Sequence, residues 1–154
     1  MDKGREAERP RVVIDASVAA KWIIPGEPWE AEARGLMEKI ASGEVEAYAP
    51  PLLPYEVASV ISRAISRGVI NLSEGAEALK ALGQLGLKIT AIGWGDQAEI
   101  LEIATTSKLT IYDSAYLQLS KRMAAKLITA DDELKSRGEN ITEIVLLRDF
   151  TIKR

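Results

Sequence analysis

The sequence predicts an α/β domain in which helices cover both faces of a mainly parallel sheet. Short apolar runs alternate with longer segments of helical spacing along the whole chain. The 154 residues contain no internal repeat, low-complexity segment or dividing linker, and 47% of them are hydrophobic. Because strands that are separated by helices usually lie parallel in one sheet, we expect a single domain around an aliphatic core.

The first elements are predicted by residue type and spacing. Arg11–Asp15 is a short strand because its centre is β-branched. Trp29–Ser42 has helical spacing and ends at a glycine. Ala47–Pro50 is the second predicted strand. The charged segment Met1–Pro10 is expected to be a flexible tail, and the domain is expected to occupy the remainder of the chain, 11–154.

The next helices are identified by the residues at their ends. Pro54 near the start and Gly68 just past the end delimit a helix over Tyr55–Arg67, the usual asymmetry of helix termini. Ser73 is the expected N-cap of the following helix, which runs to about Leu82. The remaining elements are expected, in chain order, as strand Leu87–Thr90, helices Asp96–Ser107 and Ser114–Ala124, strand Lys126–Thr129, helix Asp131–Arg137 and strand Glu143–Leu147.

Composition limits the chemistry that the chain can perform. It has no His and no Cys, which excludes imidazole and thiolate catalysis and argues against zinc. The 20 Lys and Arg stand against 23 Asp and Glu, which argues against wide contact with a nucleic-acid backbone but not against a nuclease with a local metal site. No apolar run could span a bilayer, and the lack of Cys suits a cytoplasmic protein. The high charge leans toward a thermophilic source.

Four acidic residues stand where an apolar run gives way to the start of a helix. The carboxyl ends of parallel strands meet at one edge of a sheet, so such positions come together although they are far apart in the chain. Clustered carboxylates bind hard divalent cations, which prefer oxygen ligands. Nearby hydroxyl groups can orient these carboxylates or hold a water. The four acids are Asp15, Glu56, Asp113 and Asp131, and the nearby hydroxyl residues are Ser17, Ser114 and Thr129.

Each acid also has a purely structural explanation. Asp is favoured at the N-cap of a helix, and an acid in the first turn is favoured by the helix dipole. Taken singly, Asp113 and Asp131 fit a cap better than a ligand, Asp15 fits a cap of the next helix, and Glu56 fits a first-turn acid. The joint pattern favours a metal site, because all four acids occupy the same kind of position.

Four short motifs follow one another with a helical tract between each pair. They are Val13–Val18, Pro54–Val57, Tyr112–Leu117 and Leu127–Asp131, and they belong to a stretch of about 12–147 that is nearly the whole chain. In this order they resemble the PIN-domain ribonucleases, and among these the VapC toxins of prokaryotic toxin–antitoxin pairs. The resemblance implies a Rossmann-like three-layer α/β/α fold and an endoribonuclease that depends on Mg²⁺ or Mn²⁺.

The resemblance assigns the metal site position by position. It implies that the catalytic acids and metal ligands are Asp15, Glu56, Asp113 and Asp131. Asp15 and Asp113 are the expected principal ligands, and the other two would bind a second ion or orient water. Ser17 and Thr129 match the family's small polar positions beside the acids. Asp132 is either an alternative to its neighbour or a plain first-turn acid.

Basic and aromatic residues are candidates for contact with RNA. Arg63 and Arg67 follow Glu56 on one helical face and could hold the phosphates that flank the cleaved bond. The alternative is an ordinary solvated helix face. The weaker basic candidates, and the tryptophans for which packing in the core or an interface is the better explanation, are Lys21, Lys121, Arg122, Trp22, Trp29 and Trp94.

The resemblance also implies partners. These are an RNA substrate, a VapB-like antitoxin that inhibits the enzyme, and a second copy of the chain in a homodimer. An Arg or Lys of the antitoxin could enter the acidic pocket, and an amphipathic helix could pack on Val57, Ile61 and Ile65, which otherwise belong to the core. Two further interpretations are a PIN-like module that binds without cutting, and a haloacid-dehalogenase-like phosphatase, a class that needs a second Asp where the chain has Ser17.

Overall fold

A computed structural model describes residues 9–150, which form a five-stranded sheet with helices on both faces. The predicted tail Met1–Pro10 lies outside the described residues except for its last two positions. Within 9–150, no helix is long and apolar enough to cross a membrane. The elements are β1 (Arg11–Ile14), α1 (Ala16–Lys21), α2 (Glu30–Ala41), β2 (Glu46–Ala49), α3 (Leu53–Ser66), α4 (Leu72–Gly83), β3 (Lys88–Ile89), α5 (Trp94–Ser107), α6 (Ile111–Met123), β4 (Lys126–Thr129), α7 (Asp132–Gly138), β5 (Ile144–Leu146) and a final 3₁₀ turn (Leu147–Asp149).

The sheet is parallel throughout, and its strand order is β3-β2-β1-β4-β5. Val13 in the central strand β1 is in register with Tyr48 of β2 on one side and Leu127 of β4 on the other. The chain first moves outward from β1 to β3 and then returns to build the other half of the sheet. This reversal places a crevice between the carboxyl ends of β1 and β4, where open α/β sheets bind ligands. The predicted fold class is confirmed.

Both faces of the central strands are buried, as a parallel sheet requires. Val13 and Leu127 belong to the apolar cluster beneath α3 and α6, whereas Ile14 and Ile128 belong to the cluster beneath α2. The alternation follows from the two-residue period of a strand. The three layers therefore hold the carboxyl ends of β1 and β4 in a fixed position.

The predicted helices and strands are present in the predicted order, but some ends differ. The N-cap of α4 is Asn71, and the prediction of Ser73 is wrong. Asn71 Oδ1 accepts a hydrogen bond from Glu74 N at 2.8 Å, and Glu74 Oε1 accepts one from Asn71 N at 3.2 Å. This reciprocal capping box satisfies two backbone N–H groups, so the helix begins at the earlier residue.

A second difference affects the predicted site. Helix α6 begins at Ile111, before the predicted start at Ser114. Its N-cap is Thr110, whose Oγ1 accepts a hydrogen bond from Asp113 N at 3.0 Å. Asp113 therefore lies in the first turn of α6 and does not cap the helix. The structural explanation of Asp113 as a cap is wrong.

Candidate functional site

A cavity of about 320 Å³ lies at the carboxyl ends of β1 and β4 and brings the four predicted acids together. The acids come from four different segments, namely the ends of β1 and β4 and the first turns of α3 and α6. The cavity is lined by Asp15, Ala16, Ser17, Glu56, Ser59, Val60, Arg63, Asp113, Tyr116 and Asp131.

Asp15 is the buried acid of the group, with 6% of its surface exposed. It follows β1 and caps α1. Its Oδ1 accepts hydrogen bonds from Ser17 N at 3.1 Å and from Ser17 Oγ at 2.5 Å, and its Oδ2 accepts one from Thr129 Oγ1. Burial raises the pKa of Asp15 to about 6, although these hydrogen bonds act in the opposite direction. A cation beside this carboxylate would stabilise its charged form.

The hydroxyl groups of Ser17 and Thr129 join the ends of β1 and β4. Besides donating to Asp15, each accepts a backbone hydrogen bond from the loop after β4. Ala130 N donates to Ser17 Oγ at 2.9 Å, and Asp131 N donates to Thr129 Oγ1 at 3.1 Å. The two hydroxyls therefore orient Asp15 and also fix the backbone that carries the next acid.

Glu56 lies in the first turn of α3 and is half-buried. Its Oε1 accepts a hydrogen bond from the Tyr116 hydroxyl at 2.8 Å. Desolvation raises the pKa of Glu56, and the charge of Asp113 acts in the same direction. Burial also raises the pKa of Tyr116, so its hydroxyl remains a donor. Tyr116 was not among the predicted site residues, although it follows Asp113 by three positions and so shares its helical face.

Asp113 is coupled electrostatically to all three other acids. Its own pKa is raised first by desolvation and then by the charge of Asp131. Its charge in turn raises the pKa of both Asp15 and Glu56. Asp113 therefore interacts electrostatically with each of the other three acids that line the cavity.

Asp131 both caps a helix and lines the cavity. Its Oδ1 accepts hydrogen bonds from Glu133 N at 2.9 Å and Leu134 N at 3.3 Å at the start of α7. The structural and the functional explanation of this residue are therefore compatible. Asp132, in contrast, does not line the cavity, and its Oδ1 lies 3.2 Å from Arg148 Nη2. The structure gives Asp132 an ion pair outside the acidic group.

The predicted basic residues separate into different regions. Arg63 lines the cavity, whereas Arg67 is the C-cap of α3 and is not among the lining residues. Lys21 pairs with Glu27 at 3.7 Å, and Arg122 pairs with Asp96 at 2.7 Å, both outside the cavity. Lys121 lines a different cavity at the amino ends of the strands. Arg63 alone among these candidates is placed beside the acids.

The tryptophans do not line the acidic cavity. Trp22 packs against both apolar clusters, and its Nε1 donates a hydrogen bond to Ala33 O at 2.7 Å, which confirms the prediction of packing. Trp29 is 44% exposed and Trp94 is 93% exposed. The ring of Trp94, at the start of α5, is therefore not packed in the core, and its packing in an interface stays a prediction.

The polar side chains of the cavity fit a hard divalent cation. Apart from Arg63 they offer carboxylate and hydroxyl oxygens, the ligand type that Mg²⁺ and Mn²⁺ prefer. Burial, together with neighbouring acids, raises the pKa of Asp15, Glu56 and Asp113, and a bound cation would favour their charged forms. Within residues 9–150, no three acidic side chains form a ready-made metal cluster. The carboxylates thus line the cavity without converging on one point.

Comparisons with known proteins agree with this fold. A family model described as a PIN domain matches residues 12–140. Ribonuclease VapC3 of Pyrobaculum aerophilum is 28% identical over 131 residues, which cover 82% of this chain and 94% of the relative.

Two solved structures have a similar fold. VapC20 of Mycobacterium tuberculosis, described as a sarcin-ricin loop cleaving toxin, matches with a TM-score of 0.64 and 10% identity, over 82% of this chain and 95% of its own. VapBC2 of Rickettsia felis, bound to a DNA fragment from their promoter, matches with a TM-score of 0.61 and 13% identity, over 88% and 98% of the two chains.

Proposed function

The chain belongs to the PIN-domain family, and from this we propose that it is a divalent-metal-dependent endoribonuclease of the VapC type. The observation that supports the proposal most directly is that four carboxylates line the same cavity. Such a cavity would repel a phosphodiester unless a cation reversed its charge. The similarity to Ribonuclease VapC3 supports RNA as the substrate class.

We propose different roles for the four acids at the metal site. When bound, Mg²⁺ or Mn²⁺ would lower the pKa of a water and neutralise charge on the scissile phosphate. Asp15 and Asp113 would hold the cation, because the first is buried and the second is coupled to every other acid. Glu56 and Asp131 would bind a second ion or orient the attacking water. Thr129 would keep Asp15 in its present orientation.

The composition of the chain also favours one class of cleavage products. The chain contains no His, so attack by the 2′-hydroxyl of RNA would lack an imidazole to carry its proton. Attack by water would instead leave a 5′-phosphate and a 3′-hydroxyl. The guanidinium of Arg63 lines the same cavity, with Nη1 3.4 Å from Ser59 Oγ, and would contact a phosphate of the substrate.

We further propose that the enzyme is the toxin of a toxin–antitoxin pair. An antitoxin of the VapB type would inhibit it by placing an Arg beside the carboxylates, because a guanidinium pairs bidentately with them. Val57 and Ile61 are 0% and 3% exposed, so these residues belong to the core and do not offer the helix-binding surface considered above. We also propose a homodimer, the commonest symmetric assembly.

Substitution of Asp113 tests the proposed activity. Asp113→Asn should reduce RNA cleavage with Mg²⁺ or Mn²⁺ by more than about 100-fold, since even outer-shell partners of a metal site change activity by about 10–100-fold. Asp132→Asn is the matched control, because this acid does not line the cavity. Cleavage of a labelled RNA would be followed by gel electrophoresis, with the ends of the products identified.

The result that contradicts the proposal is an Asp113→Asn protein that cuts RNA at the wild-type rate. A wild-type protein that binds RNA without cutting it at any Mn²⁺ concentration would indicate a binding module. Release of inorganic phosphate from small phosphoesters without RNA cleavage would indicate a phosphatase, although Ser17 stands where that class needs a second Asp.

A further inference from the structure

One hydrogen bond in the cavity joins the helices that carry two of the acids. The Tyr116 hydroxyl in α6 donates to Glu56 Oε1 in α3 at 2.8 Å. In the part of the chain that the structure describes, no other hydrogen bond to the Glu56 carboxylate is seen. Tyr116 is 2% exposed and belongs to the apolar cluster beneath α3 and α6. Its hydroxyl is therefore held in place by a packed ring.

The same helix turn carries a charge that acts against Glu56. Asp113 lies three residues before Tyr116, so the two side chains share one face of α6, and both line the cavity. The carboxylate of Asp113 repels that of Glu56, whereas the Tyr116 hydroxyl attracts one of its oxygens toward α6. The distance between the two carboxylates consequently depends on the hydroxyl.

We infer that Tyr116 is a positioning residue for Glu56, whose Oε1 it holds so that the second carboxylate oxygen can meet a cation or its water. This inference rests on the proposed metal-dependent function. In this proposal the hydroxyl acts through the Glu56 carboxylate and is not itself a ligand of the cation. Partners of this kind change metal affinity or activity by about 10–100-fold, and for one neutral donor we expect about tenfold.

A matched pair of substitutions tests the inference. Tyr116→Phe keeps the packed ring and removes the hydroxyl, whereas Tyr112→Phe makes the same change one turn earlier on α6, where the ring is 65% exposed. Mn²⁺ binding would be measured by calorimetry without RNA, and cleavage would be measured over a series of Mn²⁺ concentrations. Tyr116→Phe should bind Mn²⁺ about tenfold more weakly and should recover most of its cleavage rate at saturating Mn²⁺. Tyr112→Phe should match the wild-type protein in both.

A double substitution separates positioning from a general structural effect. In a Glu56→Ala background the hydroxyl has no carboxylate to hold, so adding Tyr116→Phe should cause no further loss of Mn²⁺ affinity. The inference is overturned if Tyr116→Phe binds Mn²⁺ like Tyr112→Phe, or if it causes the same loss with and without Glu56. A wild-type protein that neither binds Mn²⁺ nor cuts RNA would instead overturn the proposed function, and the inference with it.

Discussion

Replacing Asp15 by Asn should stabilise the metal-free protein while abolishing cleavage. Burial raises the pKa of Asp15 from 3.8 to about 6, so the folded state binds this proton more tightly than the unfolded state. The resulting stability is present below the unfolded pKa and is lost as the pH rises through the folded pKa. A rise of this size corresponds to about 3 kcal/mol of unfolding free energy lost at neutral pH.

The substitution should recover most of this free energy. The Asn carbonyl can still accept from Ser17, and its amide can donate to Thr129 Oγ1 in place of the acceptor Oδ2. Imperfect replacement of these hydrogen bonds costs about 1 kcal/mol. A net gain of about 2 kcal/mol would raise the melting temperature of a chain of this length by about 4–8 °C at pH 7.

Thermal and urea unfolding in the presence of EDTA, repeated between pH 4 and pH 8, would measure this gain. The difference between Asp15→Asn and wild type should be large at pH 7 and should vanish as the pH falls toward 4, because the pH then approaches the unfolded pKa of 3.8 and the wild-type protein regains the stability of its protonated carboxyl. Asp132→Asn is the control, because the Asp132 side chain is 71% exposed and should show no comparable gain. A gain for Asp15→Asn that does not change with pH would refute the reasoning.

Three further predictions concern the substrate, the packing and the assembly. Arg63→Ala should reduce the slope of log affinity for RNA against log salt concentration by about one, and Arg67→Ala should not. Equal slopes for Arg63→Ala and wild type would support the alternative that Arg63 belongs to an ordinary solvated helix face. Gly138→Ala should destabilise the protein by about 1–3 kcal/mol in urea unfolding without changing Mn²⁺ binding, because its Cβ would lie 2.7 Å from Leu117 Cδ2 and 2.9 Å from Ile144 Cδ1. Light scattering should show a dimer, and a monomer at high micromolar concentration would contradict this.

The four acids line one cavity, as the sequence predicted, because their positions follow from a general property of parallel sheets. Asp15 ends the first predicted strand and Asp131 follows the fourth by two positions, and the edge where such strands end is common to all of them. The start of α6 was less predictable, because Thr110 and Asp113 are both acceptable N-caps in isolation. The hydrogen bond between Tyr116 and Glu56 could not be predicted, since it depends on how α3 and α6 face each other.

Arg63 and Arg67 show another limit of prediction from helical periodicity. A helical period of 100° per residue places Arg63 and Arg67 on the same face as Glu56, but it contains no information about distance along the axis. With a rise of about 1.5 Å per residue, Arg67 lies about 16 Å along the helix from Glu56, where α3 ends. Arg63 is a turn closer and lines the cavity.

The position of β1 between β2 and β4 has a consequence for synthesis of the chain on the ribosome. Thr129 and Asp15 are 114 positions apart, and β4 follows β2 and β3 in the sequence. Contacts of such long range form slowly, and a domain generally folds as a unit. The cavity can therefore be completed only after β4 and Asp131 have been synthesised. A chain synthesised only as far as β3 would lack Asp113 and Asp131 and could not form the acidic cavity.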